Sequence, residues 1–354
     1  MKMEGAVQAI PRWHMAAWSG EVNQALLSRR LAGNRILLYR KEDGEVVAMD
    51  DRCPHRFAPL SRGERKGDQV HCGYHGLGFN SKGACVHNPF GDRIPRGAQV
   101  RTYPTIERDS VVWIFLEDPA SASGCEIPDL GFMTTTPANF QLNGYTLMSA
   151  NFEYGTDNLM DLSHIEFVHR GSFAGRGVIF AGQHEVRQVG ETLHSNWWMP
   201  NIAPPGHTMG QYPPDAKTDH WLDMRWNPPA SMYLQIGATL AGQPRDQGII
   251  VHQAHILTPE TDGTTHYFWS TTSALPLDDP GVAAGMKQLF DQAFNVEDKP
   301  MIEAAYSNTE GRDFWDRNPV FLGIDAGGTR ARRLLQRLRR GEAVSEPAGA
   351  VVAG

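Results

Sequence analysis

Two short loops that pair a cysteine with a histidine constrain this chain more than any other feature. The first loop is Cys53-Pro54-His55, and the second begins after 16 further residues as Cys72-Gly73-Tyr74-His75. Four such donors can hold one tetrahedral zinc ion, or a [2Fe–2S] cluster with the cysteines on one iron and the histidines on the other. Zinc sites of this composition usually take like ligands from one loop. Here each loop supplies one of each type, which favours the cluster because both loops must then reach both irons.

The pattern around these loops predicts a small all-β domain over residues 10–118. Apolar runs at Ile36–Tyr39 and Val46–Met49 flank a turn at Lys41–Gly44, which is typical of a hairpin. Residues 110–117 are rich in β-branched and aromatic side chains and are predicted to form a further strand.

Residues 125–354 are predicted to form a second domain, after a linker of small residues. A segment of helical composition at 155–169 is followed by four strand-like runs and then by helical segments. The strand-like runs are 220–226, 231–236, 248–257 and 264–275, and the late helices are 283–294 and 300–306. The expected fold class is α+β, with an N-terminal all-β domain followed by an antiparallel sheet with helices. The arginine-rich stretch 330–340 has helical spacing and is predicted to be a terminal surface helix with a solvated charged face.

The overall composition excludes several classes of protein. The 354 residues carry a net charge of −7, which argues against a general nucleic-acid binder. No apolar run approaches the roughly 18 residues of a membrane span, and the N-terminus lacks the apolar region of a secretory signal. We therefore expect a cytoplasmic protein that acts without nucleic acid or membrane. Four cysteines are too few for a disulfide framework in a chain of this length.

A second group of potential metal ligands lies in the helical segment of the second domain. Residues 157–169 are DNLMDLSHIEFVH, with His164 and His169 five positions apart. Five positions on an ideal helix correspond to about 140°, so the two side chains converge on a metal only if the helix ends or bulges between them. Asp161 lies one turn before His164, within reach of its second ring nitrogen. The segment is also compatible with a polar helix end that contains a buried histidine.

Nearly the whole chain resembles the Rieske non-haem iron oxygenases, because the paired loops precede the two-histidine motif and a late acidic helix. Within them it is most similar to the single-subunit aromatic O-demethylases, such as vanillate and dicamba demethylase. The resemblance implies one [2Fe–2S] cluster per chain on the ligands Cys53, His55, Cys72 and His75. It also implies one Fe(II) per chain, held by His164, His169 and a late carboxylate, which is Asp298 by position. Glu297 is the alternative carboxylate.

The same resemblance implies how electrons reach the iron. The chain has no G-x-G-x-x-G segment and no flavin signature, so single electrons must come from a ferredoxin or a flavin reductase. In this family the cluster and the iron of different chains approach each other in a homotrimer, where an aspartate connects them. By position, Asp161 would join His164 to His75 of the partner subunit, and Asn158 would lie near the iron. Asp161 and Asn158 are therefore assigned to the catalytic machinery.

The expected activity is that of a terminal oxygenase, which uses O₂ and reductase-supplied electrons to hydroxylate or O-demethylate a benzoate-like aromatic substrate. In the demethylases an Asn and a His bind the benzoate, and the matching positions are Asn227 and His255, although either could be an ordinary turn or strand residue. Leu289 matches a pocket Trp of dicamba demethylase, which predicts a substrate of different size. One alternative is a monooxygenase that hydroxylates a methyl group or ring of another aromatic or polycyclic compound. The other is a Rieske electron carrier whose second domain binds a ligand.

Overall fold

The computed structural model describes residues 9–173 and 177–342, together with the backbone of residues 351–352. The chain divides into two compact units. The N-terminal unit comprises Met1–Ile127 and Thr258–Asp262, and the C-terminal unit comprises Pro128–Leu257 and Gly263–Gly354. Residues 119–127, which the sequence analysis assigned to the linker and the second domain, are thus grouped with the N-terminal unit.

The described part of the N-terminal unit contains three small β-sheets and short 3-10 turns. Its strands are β1 Trp13–Trp18, β2 Leu27–Leu31, β3 Asn34–Arg40, β4 Val46–Asp50, β5 Glu64–Lys66, β6 Gln69–His71, β7 Gly78–Phe79, β8 Cys85–His87, β9 Thr102–Tyr103, β10 Thr105–Arg108 and β11 Val111–Phe115. The strand orders are β1-β11-β10, β2-β3-β4-β9 and β5-β6-β7-β8. The predicted hairpin is formed by β3 and β4, which pair antiparallel.

The hairpin is apolar on both faces because each face packs into a different core. Ile36 and Leu38 belong to a core that includes residues of β1 and β11. Leu37 belongs to a second core, which contains Cys53 and Cys72. Successive residues of a strand point to opposite faces, so a strand between two cores shows no polar alternation. The second core connects the hairpin directly to the two cysteine loops.

The C-terminal unit is built on an eight-stranded sheet with the order β12-β18-β17-β16-β15-β14-β13-β19. Its strands are β12 Gln141–Met148, β13 Gln183–Val189, β14 Thr192–Ile202, β15 Thr218–Asn227, β16 Ser231–Leu240, β17 Ile249–Pro259, β18 Thr265–Thr272 and β19 Val351–Val352. The α-helices are α1 Phe132–Thr135, α2 Phe152–Met160, α3 Ile165–Val168, α4 Pro280–Asp291, α5 Lys299–Ser307 and α6 Ala326–Arg339. A π-helical segment, Gln292–Asp298, joins α4 to α5. The elements confirm the α+β fold class, and no described helix is long and apolar enough to span a membrane.

The predicted arginine-rich helix is present as α6, but it packs against α2, and its charges do not all lie on a solvated face. Gly328 allows the close approach, because a Cβ there would meet the Asp157 carboxylate at 2.9 Å. Arg332 is only 3% exposed, and the leucines on the same side of α6 are buried. Arg333 and Arg340 are exposed, whereas Arg332 is buried and Arg339 pairs with Glu153 of α2, so the run of arginines concealed an amphipathic pattern.

Candidate active site

The two cysteine–histidine loops share one backbone conformation. In the first loop the Cys53 N–H donates to the Ala58 carbonyl at 2.8 Å, and in the second the Cys72 N–H donates to the Leu77 carbonyl at 2.9 Å. In both loops the cysteine carbonyl also accepts a hydrogen bond, at 2.9 Å, from the N–H four residues later. Each loop is therefore a tight turn around a buried cysteine.

The donor atoms of these loops fit a [2Fe–2S] cluster. Cys53 and Cys72 are buried free thiols that belong to the same core. His55 is exposed and His75 is half-buried, and the centroids of their rings lie 4.7 Å apart. Buried sulfurs and outward imidazoles match the two irons of a Rieske centre, one with cysteine ligands and one with histidine ligands.

The second ligand motif spans a break between two helices. Asn151 caps the start of α2, which ends at Met160. Asp161 then takes a non-helical conformation with φ −114° and ψ 88°, and its carboxylate accepts a hydrogen bond from the Ser163 N–H at 3.0 Å. A short 3-10 turn leads into α3. This break is the interruption that the five-residue spacing of the two histidines requires.

His164, His169 and Asp298 converge on one point. The Nε2 atoms of the two histidines are 3.3 Å apart. Asp298 places Oδ1 at 3.5 Å from Nε2 of His164 and Oδ2 at 3.3 Å from Nε2 of His169. One ligand atom from each residue lies within 4.8 Å of the other two. Two imidazoles and one carboxylate in this arrangement fit the facial set that binds non-haem Fe(II) and leaves coordination positions open.

An oxygen of the protein accepts a hydrogen bond from the second ring nitrogen, Nδ1, of each histidine. Nδ1 of His164 donates to the Asp161 carbonyl at 2.5 Å, and Nδ1 of His169 donates to the Glu297 carboxylate at 2.9 Å. A proton on Nδ1 leaves the lone pair of Nε2 free for a metal. Because Glu297 orients His169, the geometry favours Asp298 as the carboxylate ligand.

The π-helical segment gives these two neighbouring carboxylates different roles. Glu297 accepts the Ser172 hydroxyl at 2.5 Å in addition to His169, whereas Asp298 faces the Nε2 atoms. Burial acts to raise the pKa of Glu297, but the hydrogen bonds from Ser172 and His169 lower it overall. Glu297 is thus held as an anion beside the ring that it orients. Short π-helical insertions are frequent at functional sites.

Two further residues of the motif border the centre. Asn158 Nδ2 donates to Oδ1 of Asp298 at 3.2 Å, which steadies the candidate ligand. Asp161 contacts His164 through its main-chain carbonyl, whereas the sequence analysis placed the side chain there. Its carboxylate accepts the Ser163 hydroxyl at 2.6 Å. The role of Asp161 between subunits stays a prediction.

His255 lies close to this centre and is completely enclosed. Its Nδ1 is 2.7 Å from the Tyr267 hydroxyl, and its Nε2 is 3.2 Å from Oε1 of Gln253. Burial lowers the pKa of His255 to about 4, against an opposing effect of Asp298. His255 is therefore a neutral imidazole with a partner on each nitrogen.

Asn227 does not share a site with His255. In the sheet register Asn227 lies opposite Ser231, which in turn lies opposite Ile256. Cross-strand partners share a face and successive residues alternate, so His255, next to Ile256, points to the other face. The Asn227 amide donates to Thr192 Oγ1 at 2.9 Å. The joint contact of Asn227 and His255 with one substrate group, expected from the sequence, is not formed.

Aromatic residues that the sequence analysis did not single out pack together at the π-helical segment that carries Asp298. Leu289 is 37% exposed on α4, whereas the neighbouring Phe290 is buried. The rings of Phe290 and Phe294 each lie 5.4 Å from that of Trp269. The four-residue spacing of the two phenylalanines places them on one helix face, and this spacing was the available sequence signal.

A buried arginine ties helix α2, which leads into the ligand motif, to helix α6. Arg332 donates to the Asp157 carboxylate from Nε at 2.8 Å and from Nη2 at 2.7 Å. Its Nη1 donates to Glu153 at 3.0 Å, and its guanidinium lies 3.9 Å from the ring centroid of Phe314. Asp157 precedes Asn158, so this ion-pair network holds the segment that leads into the ligand motif.

A cluster-binding all-β domain followed by a two-histidine, one-carboxylate centre defines a Rieske non-haem iron oxygenase. Residues 12–104 match the Rieske [2Fe-2S] domain family, and residues 148–341 match the family described as the Vanillate O-demethylase oxygenase C-terminal domain. The chain belongs to the vanillate O-demethylase oxygenase family. Its cofactors are a [2Fe–2S] cluster and a non-haem iron.

Characterised relatives match over nearly the whole chain. The oxygenase component of dicamba O-demethylase from Stenotrophomonas maltophilia is 35% identical over 339 residues, which cover 94% of this chain and 98% of that protein. The oxygenase component of chloroacetanilide N-alkylformylase from Rhizorhabdus wittichii is 32% identical, over 92% of this chain and 93% of that protein. A crystal structure of dicamba monooxygenase bound to 3,6-dichlorosalicylic acid has a TM-score of 0.86 and 33% identity, over 94% of this chain and 98% of that chain. The chain is therefore a Rieske-type monooxygenase. This excludes the alternative that it is a Rieske electron carrier whose second domain binds a ligand.

Proposed function

We propose that this terminal oxygenase removes a methyl group from the oxygen of an aromatic ether. The observation that carries the proposal is the convergence of His164, His169 and Asp298 within 4.8 Å, with the ring of Phe173 at 5.5 Å from that of His169. The dicamba and vanillate relatives are named as O-demethylases. One O₂, two electrons and two protons would convert an aryl methyl ether into a phenol, formaldehyde and water, because a hydroxylated methyl group leaves as formaldehyde.

The residues assigned to the two metal groups are Cys53, His55, Cys72 and His75 for the cluster and His164, His169 and Asp298 for the iron. When bound, the iron supplies O₂ activation and the cluster supplies electrons one at a time.

The surrounding residues hold these ligands in one geometry. The Asp161 carbonyl and the Glu297 carboxylate each keep one imidazole in the tautomer that a metal requires. Asn158 restrains the Asp298 carboxylate. The aromatic side chains exclude water from the reacting bond and position the substrate ring, which matters because small misplacements are costly in rate.

Oxygenase components act together with separate electron-transfer proteins, and several relatives carry that designation. For this chain we infer a ferredoxin or a flavin reductase as the donor, and a homotrimer in which Asp161 joins His164 to His75 of the partner subunit. The second carboxylate oxygen of Asp161 supports this arrangement, because it has no hydrogen-bond partner among the described residues.

The test combines metal analysis with product analysis. The purified oxygenase should contain one iron beyond the two of the cluster, and Asp298→Ala should lose that iron while retaining the EPR signal of the cluster. With a compatible reductase, methoxy-substituted aromatics should yield formaldehyde in proportion to the O₂ consumed. Retention of all iron and of formaldehyde release by Asp298→Ala would contradict the proposal, and a ring-hydroxylated product without formaldehyde would favour the alternative monooxygenase activity.

A further inference from the structure

Asp51 carries a buried carboxylate at the start of the first cysteine–histidine loop. The residue is 3% exposed and lies between the end of β4 and Cys53. Its Oδ1 accepts the Ser61 N–H at 2.7 Å, and its Oδ2 accepts the hydroxyls of Ser61 and Ser28, each at 2.7 Å. Among the described residues, no lysine or arginine forms an ion pair with this carboxylate. Three neutral donors therefore hold the group, without an opposite charge.

The contact between Asp51 and Ser61 encloses the first loop, which lies between these two residues in the chain. Asp51 is two residues from Cys53, so their Cα atoms are at most about 7.6 Å apart. Ser61 follows Leu60, which packs in the same core as Cys53 and Cys72. The carboxylate is thus anchored close to the two cysteines that are assigned to the cluster.

The second loop shows that the turn itself does not require a carboxylate. The two loops have the same pair of backbone hydrogen bonds around Cys53 and Cys72. When the loops are aligned on these cysteines, the position of Asp51 corresponds to Val70, which is buried. A buried charge without an opposite charge is unfavourable, and an apolar residue avoids that cost in the second loop. The charge of Asp51 therefore points to a role beyond the formation of the turn.

A fixed negative charge in this place acts on the redox equilibrium of a bound cluster. Reduction adds one electron, and hence one negative charge, to a [2Fe–2S] centre, and a nearby anion opposes that addition. Charge and solvent exposure are among the factors that set the potentials of such centres. Solvent and salt screen a buried charge much less than an exposed one. A buried anion beside the cluster ligands therefore favours the oxidised form.

We propose that the Asp51 carboxylate lowers the reduction potential of the [2Fe–2S] cluster, and that Ser28 and Ser61 hold it in place for this. Asp51 acts through its charge and not as a ligand, and the inference does not depend on which substrate the oxygenase converts. A lower potential makes the reduced cluster a stronger one-electron donor. It also requires a correspondingly strong reductant as the electron-transfer partner.

The test is an EPR-monitored redox titration of the purified oxygenase with its cluster in place. Asp51→Asn keeps the shape of the side chain and removes its charge. We expect the equilibrium constant for one-electron reduction to rise about tenfold, which is a rise in midpoint potential of about 59 mV. Unchanged g-values and iron content of the cluster show that its ligand geometry is retained. A rise of less than threefold, or a fall, would overturn the proposal.

Asp50 provides the matched control because it carries the same charge one residue earlier. Its side chain is 22% exposed, lies 3.6 Å from Arg52 and accepts the Tyr103 hydroxyl at 2.6 Å. Solvent and the arginine screen this charge, so Asp50→Asn should change the equilibrium constant by less than twofold. An equal rise in the Asp50 and Asp51 variants would show that the total charge of the segment sets the potential, which contradicts a specific role of the buried carboxylate.

A pair of variants at Ser28 tests the same charge without changing a buried residue. Ser28 is exposed on β2, and its hydroxyl donates to Oδ2 of Asp51. Ser28→Lys places an ammonium group within reach of the carboxylate, whereas Ser28→Met removes the hydroxyl without adding charge. The lysine variant should have an equilibrium constant for reduction at least threefold higher than that of the methionine variant. Equal potentials in these two variants would overturn the proposal, even if Asp51→Asn fails to retain its cluster.

Discussion

Replacement of Arg332 by methionine should destabilise the C-terminal unit and weaken iron binding together. The guanidinium is nearly fully buried, with a side-chain exposure of 4%, and it pairs with Glu153, at 11%, and Asp157, at 31%. After the substitution Glu153 keeps Arg339 at 2.6 Å, but Asp157 loses its partner. Removal of one member of a buried ion pair typically costs 3–5 kcal/mol.

Because Asp157 is partly exposed and Arg339 still pairs with Glu153, the free energy of unfolding should fall by about 3 kcal/mol, the lower end of the range for a buried pair. For a unit of this size such a loss lowers Tm by about 6–12 °C. Because Asp157 lies in the helix that leads into the ligand motif, we also expect iron affinity to fall about tenfold, the lower limit seen when groups that orient ligands are changed.

The assays are differential scanning calorimetry of the oxygenase and a chelator competition that measures iron affinity. Arg340→Gln is the matched control, because Arg340 is on the exposed side of the same region and pairs only locally with Glu342; it should change stability by less than about 0.5 kcal/mol. Adding Asp157→Leu to Arg332→Met should recover about 1 kcal/mol or more, since an apolar pair avoids the unpaired charge. A Tm within 2 °C of wild type for Arg332→Met, or an equal effect of Arg340→Gln, would refute this account.

Three further predictions concern individual residues. Glu297→Gln should reduce iron affinity roughly 10- to 100-fold through misorientation of His169, with the EPR signal of the cluster unchanged in the same sample. Asp161→Asn should leave both metal groups bound but slow oxidation of the reduced cluster in a single turnover by orders of magnitude, and an unchanged rate would exclude the bridging role. Burial lowers the pKa of His220 to about 4 from 6.5, so below pH 6.5 the unfolded chain gains a proton that the folded chain does not. This difference destabilises the fold by about 3 kcal/mol between pH 6.5 and pH 4, and His220→Gln should make the fall of Tm over that interval less steep.

The metal centres were largely predictable because most of their ligands lie in short continuous segments. The spacing of the paired loops indicated the cluster, and the interval between His164 and His169 predicted the helix break that the structure contains. The choice between Glu297 and Asp298 could not be decided from sequence. Neighbouring residues of a helix point in different directions, and only the π-helical geometry shows which carboxylate faces the Nε2 atoms.

The substrate pocket was less predictable because it depends on register and long-range packing. A strand pattern alone does not say which face a given residue occupies, so Asn227 and His255 were placed together although the sheet separates them. Arg332 was interpreted as a solvated charge for a related reason. Its burial depends on the close approach of α6 to α2 at Gly328, which is a contact between segments far apart in the chain.

The hydrogen bonds that fix the two histidines have a consequence for metal supply. The Asp161 carbonyl and the Glu297 carboxylate fix the two imidazoles through their Nδ1 atoms, so any divalent ion that reaches the site would meet the same two Nε2 atoms and the same carboxylate. Nitrogen and oxygen sites generally bind Zn(II) more tightly than Fe(II). Which metal binds therefore depends on how much of each is available when the protein is made. Zinc bound during overproduction would occupy the site and leave the oxygenase inactive.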